Sequence, residues 1–175
     1  MESVEDAARA LASDARALEA LVESTGPGLV RYAARIVGSV ADAEDAVQES
    51  YVKAYDALVL GRFDGRSSLK TWLYRIVTRT AIDLRRSRGR RERPLGDVLP
   101  ERSIDGMAGA DAHVALRELE ELFEGLPDEQ RSALMLQAME GFTNREIGEI
   151  LECSEGAVEQ RLMRARATLK AKVSP

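Results

Sequence analysis

The sequence has little of the chemistry that builds disulfides, metal sites or membrane spans. Its 175 residues include one cysteine, Cys153, and one histidine, His113, which excludes an internal disulfide and argues against a His-based metal site. No run reaches the roughly 18 apolar residues of a membrane-spanning helix. The first residues are acidic and amphipathic, unlike a secretory signal. We therefore expect a cytoplasmic protein with no membrane insertion, no metal and no cofactor.

Aromatic residues are also scarce, at 5% of the chain. Apolar residues nevertheless make up 45% and charged residues 31%, so the chain can bury a core and is not globally disordered. The abundant residues Ala, Leu, Glu and Arg are good helix formers. The composition predicts an all-α protein, and the length allows one ordinary domain or two small ones.

Charge is distributed unevenly along the chain. The net charge is −5, which argues against a general nucleic-acid coat. Residues 62–93 nevertheless carry eleven Lys or Arg against three Asp or Glu, a balance of +8. Residues 113–175 carry eight against twelve, a balance of −4. The candidate nucleic-acid-binding charge therefore lies in the first half of the chain.

A long polar segment separates two helical blocks. Residues 87–113 contain two prolines, several glycines and no sustained apolar period. We predict an N-terminal extension at 1–16, a helical domain at 17–88, a flexible linker at 89–112 and a second helical domain at 113–175.

In the first domain, Gly26-Pro27-Gly28 is expected to interrupt a helical run. The next predicted helix, at 42–58, has an apolar stripe at spacings of three and four, formed by Val47, Tyr51, Ala54, Tyr55 and Leu58. Asp45, Gln48 and Glu49 lie on the other side. These three residues fit either a solvated helix face or a docking site for a basic partner. Catalysis fits less well, because no histidine accompanies a nucleophile.

The last helix of this domain follows the loop LGRFDGRSS and is basic. Its apolar face is formed by Leu69, Trp72, Leu73, Ile76, Val77, Ala81 and Leu84. Cations for a nucleic-acid backbone and rings for stacking bases are the ingredients of a single-strand site. The candidate contacts are Phe63, Lys70, Trp72, Tyr74, Arg75, Arg79, Arg85 and Arg86. For Trp72 a place in the core is an equal alternative, because it lies on the apolar stripe.

The second domain ends in a pair of helices with the spacing of a helix-turn-helix. Thr143 and Glu146 form a capping box that starts a short helix, and Glu152-Cys153-Ser154 connects it to the last one, which Ser154 caps. An αα-hairpin used only for packing is the alternative.

The last helix is expected to pack inward through Val158, Leu162, Ala165 and Leu169. Glu155, Glu159, Gln160, Met163 and Arg164 remain outside. Glutamate accepts a hydrogen bond from cytosine, glutamine pairs with adenine, and the arginines hold phosphates. The candidate DNA contacts are Thr143, Glu155, Glu159, Gln160, Arg161 and Arg164.

Taken together, these segments resemble the extracytoplasmic-function (ECF) group of bacterial sigma factors over residues 17–173. DAEDAVQESYVKAY resembles the helix that grips the clamp helices of the RNA polymerase β′ subunit. FDGRSSLKTWLYRIVTRTAIDLRR is similar to the segment that reads and melts the −10 element, with a flipped base held at 63–68. LPDEQRSALMLQAMEGFTNREIGEILECSEGAVEQRLMRARATL resembles the domain that reads the −35 element.

The resemblance implies a non-enzymatic initiation factor with three kinds of partner. Core RNA polymerase is contacted through the β′ clamp helices and the β subunit, and Asp45, Gln48 and Glu49 belong to that contact. Promoter DNA is bound as duplex at −35 and as single strand at −10. An anti-sigma factor is expected to control the protein.

The sequence departs from the family pattern at the positions that read DNA. Arg79 stands where an Asn is common, and Leu69 stands where an aromatic residue is common. Ala157-Val158-Glu159-Gln160 replaces the usual Thr-Val-Lys-Ser, so the −35 sequence of better-known members does not carry over to this protein. A stand-alone helix-turn-helix regulator is the rival interpretation, although such a regulator needs neither the polymerase-facing helix nor the single-strand loop.

Overall fold

The computed structural model describes residues 14–88, 123 and 125–173. Within these ranges the chain forms six α-helices and no β-strand, which confirms the predicted all-α class. In chain order they are α1 (Ala15–Val37), α2 (Val40–Val59), α3 (Leu69–Arg88), α4 (Asp128–Ala138), α5 (Asn144–Leu151) and α6 (Glu155–Val173). The predicted linker, most of the N-terminal extension and the first residues of the predicted second domain lie outside the described residues.

The chain divides into two compact units: the described residues of the first are 14–88 and 149–152, and those of the second are 123, 125–148 and 153–173. The helices α1, α2 and α3 belong to the first unit, while α4, α6 and the larger part of α5 belong to the second. The finer boundaries given above, at residues 16, 88 and 112, stay predictions.

The predicted break at Gly26-Pro27-Gly28 is wrong, because α1 runs through it. Pro27 has no N–H and removes one hydrogen bond from the helix. Two residues before Pro27, the Thr25 hydroxyl donates to the Leu21 carbonyl oxygen at 2.6 Å. Beyond the proline, Leu29 is completely buried, so packing holds the next turn in place. Tertiary contacts here outweigh the local preference of the sequence.

The three helices of the first unit pack against one another in every pairing. Their fully buried large side chains are Tyr32, Leu29, Ile36, Leu58, Leu73 and Val77. Burying each such side chain stabilises the fold by about 1.5–3 kcal/mol. The polar groups inside are bonded in series: the Tyr32 hydroxyl lies 2.9 Å from Thr78 Oγ1, which donates to the Tyr74 carbonyl oxygen at 2.6 Å. The core therefore accommodates a tyrosine hydroxyl without leaving it unsatisfied.

The second unit is built around α4 and α6, which pack against each other. Its fully or almost fully buried side chains include Leu136, Ile147, Val158, Leu162 and Ala165. The last three lie on one side of α6, as the sequence predicts, while Leu169 is half-buried. This arrangement commits one side of α6 to the core and leaves the other side outside.

Candidate nucleic-acid interface

The three residues predicted to bind a protein partner lie together on the outer side of α2. Asp45, Gln48 and Glu49 are all exposed. Their helix begins at the N-cap Ser39, whose hydroxyl accepts the Asp42 N–H at 3.4 Å. The opposite side of α2 is buried through Ala43, Ala46, Val47, Ser50, Ala54 and Leu58. Packing thus fixes which face of the helix points outward.

Glu49 belongs to a short polar chain that joins α2 to α3. Lys53 Nζ lies 2.7 Å from Glu49 Oε1 and donates to Thr80 Oγ1 at 3.1 Å. Both charged side chains stay more than half exposed, so the pair adds little stability. A partner's cation at this face would compete with Lys53 for the carboxylate.

The second half of the same helix is apolar on its outside. Tyr55 was expected on the inward stripe, which is wrong, because its side chain is exposed together with those of Val52 and Val59. Gln48, Val52, Tyr55 and Val59 follow one another at spacings of four, three and four, so they share one helix face. The outer face of α2 therefore begins acidic and continues apolar.

The aromatic residues predicted to stack on bases are in the core instead. Phe63 is only 4% exposed, and its ring centroid lies 4.9 Å from that of Trp72, with the rings tilted by 56°. Tyr74 is 2% exposed and packs against Tyr32, with 5.4 Å between ring centroids. All three rings are therefore buried in this structure, and the alternative of a core position is correct for Trp72. Their contact with bases stays a prediction. In a unit with few aromatic residues, the core takes them first.

The cations of this region, unlike its rings, lie at or near the surface. Lys70, Arg79 and Arg86 are exposed, and Arg75 and Arg85 are half-buried. Lys70 Nζ lies 5.7 Å from the centroid of the Tyr74 ring, so the buried ring supports a surface cation through its face. The helix α3 thus presents charge outward and keeps its rings inward.

Two further cations lie in the loop before α3 and are absent from the predicted set. Arg62 and Arg66 are both exposed. The loop bends at Gly61 and Gly65, which have positive φ angles of 64° and 67°. The signal for them in the sequence is the pair of arginines in the polar loop LGRFDGRSS.

The loop ends in a well-defined helix start. Ser68 Oγ accepts the Thr71 N–H at 3.0 Å, and the Ser68 carbonyl oxygen accepts the Trp72 N–H at 3.0 Å. This cap fixes where α3 begins and therefore where its cations lie.

The predicted helix starts of the second unit are confirmed. The Thr143 N–H donates to Glu146 Oε2 at 2.8 Å, and the Glu146 N–H donates to Thr143 Oγ1 at 3.3 Å, which completes the capping box. Ser154 Oγ accepts the Ala157 N–H at 3.2 Å at the start of α6. Because the Thr143 hydroxyl also donates to Glu146 at 2.8 Å, its first role is to start α5.

The connection between α5 and α6 has three residues, Glu152 to Ser154, as predicted. Glu152 has a φ of 53°, and the Cys153 N–H donates to the Gly148 carbonyl oxygen at 2.9 Å. A Cβ atom at Gly148 would lie 2.8 Å from the Cys153 carbonyl oxygen, so the turn folds back where only glycine fits. Gly148 is not among the residues predicted from the sequence, although a glycine inside an eight-residue helix is itself a sign of close approach.

The outer face of α6 carries the predicted readers. Glu155, Glu159, Gln160 and Arg164 are all exposed, and Met163, at 63%, lies among them. The packed face behind them fixes the direction in which these side chains point. An exposed helix after a three-residue turn has the form of a recognition helix.

Arg161 does not share this face. Its side chain is 22% exposed. The Arg161 Nη2 atom lies 2.6 Å from Glu129 Oε2, and the Nη1 atom donates to Cys153 Sγ at 2.8 Å. In this structure Glu129 of α4 and Cys153 of the turn therefore already bind the guanidinium, and the phosphate contact of Arg161 stays a prediction.

Cys153 is a structural thiol in this setting. Burial raises the pKa of the Cys153 thiol; Arg161 opposes the rise and Glu129 adds to it. The protonated form, which is a weak nucleophile, is therefore favoured.

Neither a metal centre nor a membrane span is found in the part of the chain that the structure describes. No group of three or more His, Cys, Asp or Glu side chains there is arranged to hold a metal ion. None of the helices in those ranges combines the length and apolar character needed to cross a membrane.

Comparison with known families matches the two units separately. Residues 21–91 match sigma-70 region 2, and residues 116–169 match sigma-70 region 4. These ranges include α2, the basic helix α3 and the helix-turn-helix formed by α5 and α6.

Known relatives cover most of the chain. It is 32% identical to the RNA polymerase sigma-H factor of Pseudomonas aeruginosa, over 93% of this chain and 89% of that protein. It is 33% identical to the ECF RNA polymerase sigma-E factor of Haemophilus influenzae, over 84% of this chain and 80% of that protein.

Two solved structures share the fold. CnrH, in complex with the cytosolic domain of CnrY, matches with a TM-score of 0.71 and 29% identity, over 96% of this chain and 97% of that chain. The sigma factor RpoE of Bartonella quintana, in complex with the anti-sigma factor NepR, matches with a TM-score of 0.71 and 24% identity, over 90% of this chain and 98% of that chain. With two sigma-70 regions in order and relatives at this identity and coverage, the chain belongs to the ECF group of RNA polymerase sigma factors, which are transcription initiation factors rather than catalysts.

Proposed function

We propose that this sigma factor binds core RNA polymerase through the outer face of α2, holds the opened −10 strand along α3 and reads the −35 element with α6. The protein supplies position and binding, and it has no catalytic activity of its own. Its work on polymerase and promoter DNA takes place in the cytoplasm.

The observation that carries the proposal is the two-part outer face of α2. Asp45 and Glu49 offer carboxylates at one end, and exposed Val52, Tyr55 and Val59 continue the face at the other. Exposed apolar side chains in a row favour a protein partner over solvent. A partner helix with basic residues beside apolar ones would match this face along its length. The clamp helices of polymerase are the partner that the family resemblance implies.

At the −10 element we assign the phosphate contacts to the surface cations. Lys70, Arg79 and Arg86, together with Arg62 and Arg66 of the loop, are exposed. Counterion release along such a surface supports single-strand binding. Because the rings are buried, the polar groups of residues 64–68 receive the unstacked base.

At the −35 element the outer face of α6 is assigned to the major groove. Glu159 and Gln160 are the proposed base contacts, and Arg164 is the proposed phosphate contact. Glu155 lies in the first turn of α6, where a carboxylate also favours the positive end of the helix dipole.

We also infer an anti-sigma partner. The family resemblance implies one, and CnrH, to which this chain is similar, was solved with the cytosolic domain of another protein bound. The apolar part of the α2 face is where such a partner would compete with polymerase.

Run-off transcription with purified core polymerase tests the whole proposal. A promoter library randomised at both elements should yield transcripts only when this protein is present, with selected bases near −35 and −10. Equal transcription with and without the protein would contradict it.

A stand-alone helix-turn-helix regulator remains the competing function. The second unit is net negative, so counterion release gives it little affinity of its own, and we expect the free protein to bind duplex promoter DNA weakly while holoenzyme binds it tightly. Nanomolar binding of the free protein to duplex DNA in physiological salt would favour the regulator.

A further inference from the structure

Arg161 lies where three parts of the second unit meet. It belongs to α6, one residue before the buried Leu162. Its guanidinium reaches Glu129 in the first turn of α4 and Cys153 in the turn before α6, at 2.6 and 2.8 Å. One side chain thus joins the helix that supports α6, the turn that precedes it and α6 itself.

The turn is also held from its other side. The Cys153 N–H donates to the Gly148 carbonyl oxygen at 2.9 Å, and the Cys153 carbonyl oxygen would touch any Cβ at Gly148. Cys153 is therefore fixed between α5 and the Arg161 guanidinium. The raised pKa of its thiol keeps sulfur uncharged, so the thiol stays a modest acceptor and Glu129 remains the stronger anchor.

The geometry points to Arg161 and Glu129 as a pair that positions the recognition helix, rather than to Arg161 as a DNA contact. This role rests on the proposed −35 reading by α6 and adds residues that touch no base. Through the planar guanidinium, the pair fixes how far α6 turns about its axis relative to α4, and hence the direction of Glu159 and Gln160.

A positioning role and a phosphate contact differ in what they do to base discrimination. A phosphate contact strengthens binding to all sequences alike, and its loss flattens the salt dependence of binding by about 0.9 in the logarithmic slope. A positioning residue acts through the readers, so its loss narrows the difference between preferred and altered −35 sequences. A general loss of folded protein changes neither the discrimination ratio nor the slope.

The experiment uses holoenzyme carrying Arg161→Met, Glu129→Ala or both. The first variant keeps the packed stem of the side chain, and the second alters an exposed residue of α4, so both should fold. Arg164→Met is the matched control, since Arg164 is an exposed arginine on the outer face of the same helix. Binding is measured over a range of salt for the preferred −35 sequence and for its single-base variants.

We expect Arg161→Met and Glu129→Ala each to lower the ratio of affinities for the preferred and the altered −35 sequences by about threefold or more. The double variant should lower this ratio no further than the larger single effect, because residues in contact are coupled. The salt slope should stay unchanged for Arg161→Met and flatten for Arg164→Met. Unaltered discrimination in either single variant would overturn the proposal. A flattened slope for Arg161→Met would do so as well.

The result also separates this inference from the proposed function beneath it. If unmodified holoenzyme selects no −35 sequence, the proposed −35 reading fails and the positioning role falls with it. If the unmodified protein selects a sequence and the two variants select it equally well, only the positioning role fails.

Discussion

The two units treat their candidate DNA-binding residues in opposite ways. In the first unit the rings of Phe63, Trp72 and Tyr74 turn into the core, while the cations of α3 stay outside. In the second unit the carboxylates of Glu155 and Glu159 stay outside, while the cation of Arg161 turns toward α4 and the turn.

The difference follows from what each unit has available for its core. The first unit needs large apolar side chains between three helices, and the aromatic residues of the loop and of α3 provide them. The second unit fills its core with aliphatic residues of α4, α5 and α6. At the edge of that core, Arg161 binds Glu129 and Cys153. A side chain of a type that binds nucleic acid is therefore available for that contact only where the fold does not use it for packing.

The first prediction tests whether Phe63 belongs to the core. Phe63→Ala should lower the free energy of unfolding of the first unit by about 3–5 kcal/mol, the usual cost of emptying a buried phenylalanine site. The chain has one tryptophan, Trp72, beside that ring, so its fluorescence reports the transition during denaturation. Arg62→Ala, at the exposed neighbour, should leave stability nearly unchanged. Unaltered stability of Phe63→Ala would contradict a core role for this ring.

The second prediction tests the α2 face. Replacing Gln48 and Glu49 with arginine should weaken core polymerase binding by about a hundredfold or more, because like charges at an interface cost several kcal/mol. The melting temperature should hardly change, since both side chains are exposed. Pull-down of core polymerase measures the first quantity and thermal unfolding the second.

A matched control separates charge from position. Replacing Glu23 and Ser24 of α1 with arginine adds the same charge at two exposed positions on another helix. That variant should still bind core polymerase. Loss of binding in both variants would mean that the overall charge of the unit matters and that the α2 face has no special role.

Much of the fold is predictable from the sequence because its signals are local. The capping box at Thr143 and the cap at Ser154 depend on side chains within three residues of the backbone groups they bond. Periodicity also predicts the inward face of α6 at Val158 and Leu162. The wrong prediction of a helix break at Pro27 has a different cause. The helix α1 is held intact there by packing against α2 and α3, which the local sequence does not show.

The site is less predictable, because side-chain exposure depends on distant partners. Nothing within a few residues of Phe63 shows that Trp72 lies against it. Likewise, Glu129 is 32 residues from Arg161, and only the packing of α4 on α6 brings them together. Residues facing outward from a strongly periodic helix, such as Asp45 and Gln48, are placed correctly.

The third prediction compares two glycines of the second unit. Gly148→Ala should lower the free energy of unfolding by about 1–3 kcal/mol, because the added Cβ lies 2.8 Å from a backbone oxygen of the turn. Gly156→Ala should raise it by up to about 1 kcal/mol, because that position in α6 is open and alanine favours helix. Chemical denaturation of both variants measures whether each change in the free energy of unfolding is negative or positive. A stabilising Gly148→Ala would mean that the turn relaxes freely and does not fix α6.

The final prediction concerns the carboxylates that stay outside in the second unit. If Glu159 accepts a hydrogen bond from cytosine N4, Glu159→Gln should change which base is preferred at one −35 position. The preference for cytosine over the other bases there should fall by about 1 kcal/mol, roughly fivefold, which is the low end for a direct contact. Arg164→Ala should weaken binding to all sequences alike and flatten the salt slope by about one. Selection by each holoenzyme from a randomised −35 library measures both effects. An unchanged preference for Glu159→Gln would make that carboxylate a solvated group, and the second unit would then read DNA through Gln160 and its neighbours.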